Sequence, residues 1–261
     1  MGWIFWIWYG IGAVLLLTIG VPKMLDFSNG LFLVFYALYA LSLIRRSQPQ
    51  YNMSDWSVSK RETITFSRLL MAAVLMWLGG MALEWMGVHT GWPFGEYEYS
   101  SILGGLVFGV PWTLGFAWIA VVSSGILLAS GRAVTDSMRA RLLRAVQVGV
   151  WIIILDLVLD PVADARGFWT WGGDSGFYGV PWSNFIAWFI VGGVLSLTIP
   201  IIRLDLSVAR QSVFLYQGIL FMFGLLAWQQ GLIGSVIAGV IGIALAEGSY
   251  RYDRRQQVSR V

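Results

Sequence analysis

Three aspartates stand four residues apart in the stretch DLVLDPVAD: Asp156, Asp160 and Asp164. On a helix, positions i, i+4 and i+8 share one face, so a helix through this stretch stacks their carboxyls. Carboxyls gathered in an apolar setting do acid–base work, because one of a close pair keeps its proton. Asp156 lies inside an apolar run, and an ionisable side chain at membrane depth marks a functional site by default. Pro161 leaves two local readings open: the helix continues, or it ends or kinks just after Asp160. Asp156 and Asp160 read as functional. Asp164 and Asp174 read as interfacial groups that pair with Arg166 or cap a loop. Glu84 is the nearest counterpart earlier in the chain. Glu96 and Glu98 are further catalytic candidates. They alternate with Tyr97 and Tyr99, which fits an extended segment with tyrosines on one face and glutamates on the other.

These residues are set in a strongly apolar chain. Of 261 residues, 57% are hydrophobic and only 12% are charged, against roughly a quarter charged in a soluble domain. The expectation is an all-α polytopic membrane protein of one transmembrane domain, residues 1–261. Eight apolar runs can be drawn: Trp3–Gly20, Gly30–Ile44, Leu69–Val88, Leu106–Ala129, Leu142–Leu159, Trp182–Ile202, Val213–Trp228 and Gly231–Glu247. The first lacks a basic leader and a small-residue cleavage site, so it reads as a retained helix. Every Lys and Arg except Lys23 and Arg166 falls in alternate links or the C-terminal tail. Positive loops stay cytoplasmic, which predicts cytoplasmic N and C termini in the cell membrane and puts the acidic links on the outer side.

Those outer links carry a repeated phrase. VFGVPWTLGFAWI (Val107–Ile119) returns as FYGVPWSNFIAWF (Phe177–Phe189). The spacing predicts a duplicated helical hairpin, spans three and four matching spans five and six, over approximately 84–121 and 156–191. Pro suits the first turn of a helix, and Trp suits the membrane interface. The links are near twenty residues long and rich in aromatics, far more than a turn needs. The two phrases are expected to face each other across a cavity.

Several chemistries are excluded. There are no cysteines, so disulfides and thiolates are absent. The single histidine, His89, cannot form a multi-histidine metal or bis-histidine haem site. The lysines, Lys23 and Lys60, lie outside the spans, which leaves no anchor for a retinal Schiff base. There is no phosphate-binding loop, nucleophile elbow or dinucleotide fingerprint. The net charge of +3 reflects membrane orientation rather than a nucleic-acid partner.

HTGWPFGEYEY, DLVLDPVA, GFWTW and FYGVPWSNFIAWF together resemble the integral-membrane carotenoid hydratases, of the carotenoid 1,2-hydratase and bisanhydrobacterioruberin hydratase type. The resembling stretch runs from about Glu84 to Phe189. The resemblance implies addition of water to the terminal double bond of an acyclic carotenoid end, as in lycopene, γ-carotene or a bacterioruberin precursor. The product is a tertiary alcohol, and no cofactor or metal is needed. Chemistry then suggests roles. Protonation of the less substituted carbon gives a tertiary cation, which water captures. Of Asp156 and Asp160, one is the acid and the other orients or deprotonates water. Aromatic faces stabilise cations, which nominates Tyr97, Tyr99, Trp112, Trp169, Trp171, Tyr178 and Trp182, while Asn184 positions the water. The implied partners are the carotenoid, membrane lipid and other enzymes of the pathway. Aspartates at this spacing also suit a Mg-dependent intramembrane prenyltransferase, but such enzymes carry two motifs and this chain has one. A transporter would place polar residues near the middle of several helices, where few occur. A non-catalytic scaffold would use small-residue seams such as Gly231, Ser235, Gly239 and Gly242.

Overall fold

The computed structural model describes residues 2–49, 64–130, 137–173 and 176–258. Lys60, Arg61, Arg132 and Arg260 of the charge pattern, and Asp174, lie outside the described residues. Eight helices are present among them: α1 (Gly2–Leu17), α2 (Phe27–Arg45), α3 (Phe66–Thr90), α4 (Leu114–Ala129), α5 (Met138–Ala165), α6 (Trp182–Ser196), α7 (Leu206–Gln229) and α8 (Ile233–Val258). Five segments, Lys23–Arg45, Phe66–Thr90, Met138–Ala165, Leu206–Gln229 and Ile233–Arg255, are long and apolar enough to cross a membrane, and α1, α4 and α6 are shorter apolar helices. The chain is an all-α multi-pass membrane protein. Its outer surface fits a lipid solvent. Leu70, Val74 and Leu78 on α3, and Ile186, Ile190 and Val194 on α6, recur every fourth residue and are all exposed, which makes one apolar stripe per helix.

The helices approach closely where glycine removes a side chain. Gly149 on α5 makes room for Phe189 of α6, and Gly192 on α6 makes room for Ile152 of α5. The buried Trp118 of α4 stacks on Trp188 of α6, ring centroids 4.2 Å apart and planes 18° from parallel. Both are the tryptophan of the Ala-Trp that follows the repeated phrase.

Helix α5 continues through Pro161. Proline has no N–H, so the carbonyl four residues back, that of Leu157, loses its helical donor. The Ser235 hydroxyl of α8 donates to Leu157 O at 2.8 Å. An interhelical bond thus replaces the lost one, and the helix carries Asp156, Asp160 and Asp164 on consecutive turns.

The helices α5, α7 and α8 extend beyond their predicted runs, and two predicted spans overrun their helices. The run Leu106–Ala129 is not one helix. Leu106–Val107 pairs with Val110–Pro111 in a small hairpin, and α4 starts only at Leu114. The turn residues Phe108 and Gly109 have φ of 51° and 85°, the positive pair that a two-residue hairpin turn demands. Pro111 therefore belongs to the hairpin rather than to the first turn of α4. The second phrase makes the same turn: Phe177 bridges Val180, with φ of 54° at Tyr178 and 85° at Gly179. There Pro181 directly precedes α6. The sixth run stops at Ser196 instead of Ile202. The buried Arg144 of α5 donates to the carbonyls of Ser196, Ile199 and Pro200 at 2.8, 2.6 and 2.6 Å, satisfying the free end of α6.

The links α1–α2, α3–α4, α5–α6 and α7–α8 gather at one end of the bundle. Arg166 Nη2 and Gln229 Nε2 donate to the carbonyls of Leu16 and Leu17, and the Tyr178 hydroxyl accepts from Gly234 N at 2.8 Å. At the other end, Gln48–Pro49 pairs with Ile202–Arg203.

Candidate active site

The site forms where two of these links meet. Tyr97–Tyr99 pairs antiparallel with Trp169–Trp171, with Tyr97 opposite Trp171, Glu98 opposite Thr170 and Tyr99 opposite Trp169. Alternate residues of a strand point to opposite faces. All four aromatic rings therefore turn inward, while Glu98 and Thr170 are exposed. Tyr97 lies against Trp171 with centroids 4.9 Å apart, and Tyr99 lies edge-on to Trp169 at 5.7 Å.

Behind the tyrosines, α3 presents Gly80, Glu84 and Gly87 on one face. Gly80 accommodates Trp118, and a Cβ on Gly87 would stand 2.6 Å from the Tyr97 hydroxyl. The two glycines let large donors reach the carboxyl between them. Tyr97 and Tyr99 donate to Oε2 of Glu84 at 2.6 and 2.7 Å, and Trp118 Nε1 donates to Oε1 at 2.9 Å. Glu84 is buried at 2% exposure, so this carboxyl is an acceptor held by three donors. Burial, and then the neighbouring Glu84, push the Tyr97 and Tyr99 hydroxyls well above the usual tyrosine range, so both stay protonated and remain donors.

Across from Glu84, α5 supplies Asp156 and Asp160, one turn apart and both buried. The Asn184 side chain of α6 bridges them, its Nδ2 donating to Oδ2 of Asp156 at 3.1 Å and to Oδ2 of Asp160. Oδ1 of Asp156 is buried and, among the described residues, has no hydrogen-bond partner.

Asp160, Glu84, Asn184, Tyr97, Trp169 and Trp171 all face one cavity of about 190 Å³. Its other walls are almost wholly apolar. They come from α1 (Trp8, Ile11, Leu15), α2 (Phe32, Tyr36), α4 (Leu114, Val121) and α7 (Ile219, Met222, Phe223). One end is polar and acidic, and the rest is a greasy arm between helices.

The residues expected from the sequence divide accordingly. Asp160, Tyr97, Tyr99, Trp169, Trp171 and Asn184 line the cavity, and Asp156 touches it through Asn184. Glu96 and Glu98 lie on the exposed face of their segment. Trp112, Tyr178 and Trp182 are 40%, 42% and 59% exposed and do not line the cavity. Asp164 Oδ1 accepts from the Trp171 backbone N–H at 3.3 Å, a loop-capping contact. Sequence reasoning gave Glu84 no role, and its signal was a glutamate in an apolar run with glycine one turn on either side. It also gave no role to the walls from α1, α2 and α7, because uniformly apolar helices carry no mark of which face meets a ligand. Among the described residues, no group of His, Cys, Asp and Glu is placed to hold a metal ion.

The site is a cluster of buried carboxyls in the wall of a largely apolar cavity within a membrane bundle. The family described as "Carotenoid biosynthesis protein" matches residues 37–247, and this chain belongs to that family. Bisanhydrobacterioruberin hydratase of Haloarcula japonica is 37% identical over 132 residues, which are 49% of this chain and 43% of that protein. The chain thus matches less than half the length of this relative. No solved structure matches it.

Proposed function

We propose that this protein hydrates the terminal double bond of an acyclic carotenoid end by acid catalysis. The observation that carries the reading is the cavity itself: an apolar arm ending on Asp160, Asn184 and four inward aromatic rings. A polyene lies along the arm between α1, α2, α4 and α7, entering sideways from the bilayer. Its end reaches the polar cluster. Asp160, the aspartate that faces the cavity, gives its proton to the less substituted alkene carbon, and the tertiary cation forms beside Tyr97, Trp169 and Trp171. The charge of the Glu84 carboxylate and the ring faces stabilise that cation. Water captures it, and the oxonium returns a proton to Asp160. Asp156, held to Asp160 through Asn184, keeps the pair's geometry and its shared proton.

In this reading the termini are cytoplasmic and the cluster lies at the outer end of the bundle, near water. The two hairpins, 84–121 and 156–191, are a duplicated unit. The matching turns at Phe108-Gly109 and Tyr178-Gly179 and the Trp118–Trp188 stack support this. The relative's name supports a bacterioruberin precursor as one substrate, beside lycopene and γ-carotene. The test is conversion in a lycopene-accumulating host. A more polar pigment heavier by one water is expected, and lycopene and an elongated precursor both left unchanged would refute the proposal.

A further inference from the structure

The indole N–H groups of Trp169 and Trp171 are buried and, among the described residues, have no acceptor. A buried indole N–H normally finds a partner, and each orphan calls for an explanation. Both rings line the cavity. The polar groups around them are already committed. The Tyr97 and Tyr99 hydroxyls donate to Glu84, and the Asn184 amide donates to the aspartates. The two indoles are the donors left over in a site otherwise rich in acceptors.

Their position is firmly fixed. The strand is held by its three-residue pairing with Tyr97–Tyr99. Ser100 adds two bonds to Phe168 O, from its backbone N and its Oγ, each 3.0 Å long. The Trp171 backbone N–H, donating to Asp164 Oδ1, pins the other end. Donors that are rigid, buried and unpaired are preorganised for an oxygen that arrives with the ligand.

We infer that the Trp169 and Trp171 indole N–H groups form the oxygen site of this cavity, holding the attacking water and then the tertiary hydroxyl of the product. The inference rests on the hydration reading above. A water that accepts from an indole keeps a lone pair for carbon and turns its own protons toward the carboxyls. The alkene π pair takes the Asp160 proton and forms a C–H bond. A water lone pair then forms the C–O bond at the cationic carbon. The oxonium loses one proton to the Asp160 carboxylate, so one water is consumed and the acid is restored. The site therefore selects a carotenoid end that carries, or is about to carry, a tertiary alcohol.

Trp169→Phe and Trp171→Phe keep an aromatic face and remove the N–H. The assay is run in heavy water, and it follows both hydrated product and deuterium in the recovered polyene. With capture impaired, the cation survives long enough to lose a proton or deuteron and revert. Because Phe is also a weaker cation face than Trp, the reading is the ratio: hydrated product per deuterium exchanged is expected to fall about five-fold per lost bond. Hydration and exchange falling by the same factor would show a merely structural or ring-face role and overturn the inference, as would unchanged hydration. A binding measurement reads the same site without turnover. Wild type is expected to bind a carotenoid with a tertiary-alcohol end roughly five-fold more tightly than the parent hydrocarbon. The double variant is expected to lose that preference and to bind the alcohol and the hydrocarbon equally. Equal binding by wild type would overturn the oxygen site even if hydration is verified. A preference without turnover would support the oxygen site and sink the hydratase reading.

Discussion

The α5–α8 contact at Pro161 makes a sharp quantitative prediction. Asp160 immediately precedes Pro161, so the turn that carries the catalytic candidate is also the turn with a broken helical bond. Ser235 donates to the stranded Leu157 carbonyl at 2.8 Å, and Ser235 is fully buried. Removing the hydroxyl leaves a buried carbonyl unsatisfied, which costs about 1–3 kcal/mol in a soluble core. Interhelical bonds inside membranes measure lower, about 0.6 and at most about 1.7 kcal/mol. We expect Ser235→Ala to cost about 1 kcal/mol, or roughly 2–4 °C in thermal midpoint for a chain of this size. In a Pro161→Ala background the new N–H at that position takes the Leu157 carbonyl as an ordinary helical acceptor. The serine is then redundant, and Ser235→Ala should cost almost nothing. A double-mutant cycle by thermal unfolding in detergent therefore predicts a coupling of about 1 kcal/mol. Equal cost in both backgrounds, or no cost in the wild-type background, would refute this account of how α5 passes its proline.

Other variants probe the cluster directly. Asp160→Asn is expected to lower hydration about a hundred-fold or more, the usual size of a general-acid effect, with pigment binding retained. Trp118→Phe deprives Glu84 Oε1 of its donor and should lower stability by about 1–3 kcal/mol and slow hydration, as read by thermal midpoint and pigment analysis. Gly87→Ala puts a methyl 2.6 Å from the Tyr97 hydroxyl and 2.8 Å from Phe94 Cδ2, which forces Tyr97 off Glu84 at a cost of about 1–3 kcal/mol. Gly10→Ala, inside α1 with nothing within 4 Å, is the clash-free control and should keep or raise that midpoint, since alanine favours the helix. Glu96→Gln and Glu98→Gln alter exposed carboxylates and should change stability by less than about 0.5 kcal/mol, with hydration near wild type in the same host.

Much of the helical layout was legible because apolar run length and link charge are strong signals. The lost boundaries have local causes. Leu106, Val107 and Phe108 look like the start of a span, but Gly104, Gly105 and Gly109 break the run, and Gly104 and Gly109 take positive φ, so a hairpin forms. The alternation of Tyr and Glu over residues 96–99 predicted an extended segment with its tyrosines on one side, and that is its geometry. Which side faces the ligand depends on the pairing with Trp169–Trp171, seventy residues away, and no local pattern encodes that partner. The continuation of α5 past Pro161 depends on Ser235, more distant still. Glu84 was visible as an acid in an apolar run but not as a hub, because its three donors come from two other segments, the Tyr97–Tyr99 strand and α4.

Expression of the chain, wild type and Asp160→Asn, in bacteria that accumulate lycopene or an elongated acyclic precursor, with the pigments separated by chromatography and mass detection, decides whether Asp160 hydrates a carotenoid end. The account predicts a more polar pigment heavier by one water from the wild-type chain and almost none from the variant. Unchanged pigments from a well-expressed wild-type chain would contradict the hydratase assignment, and full conversion by Asp160→Asn would contradict the acid.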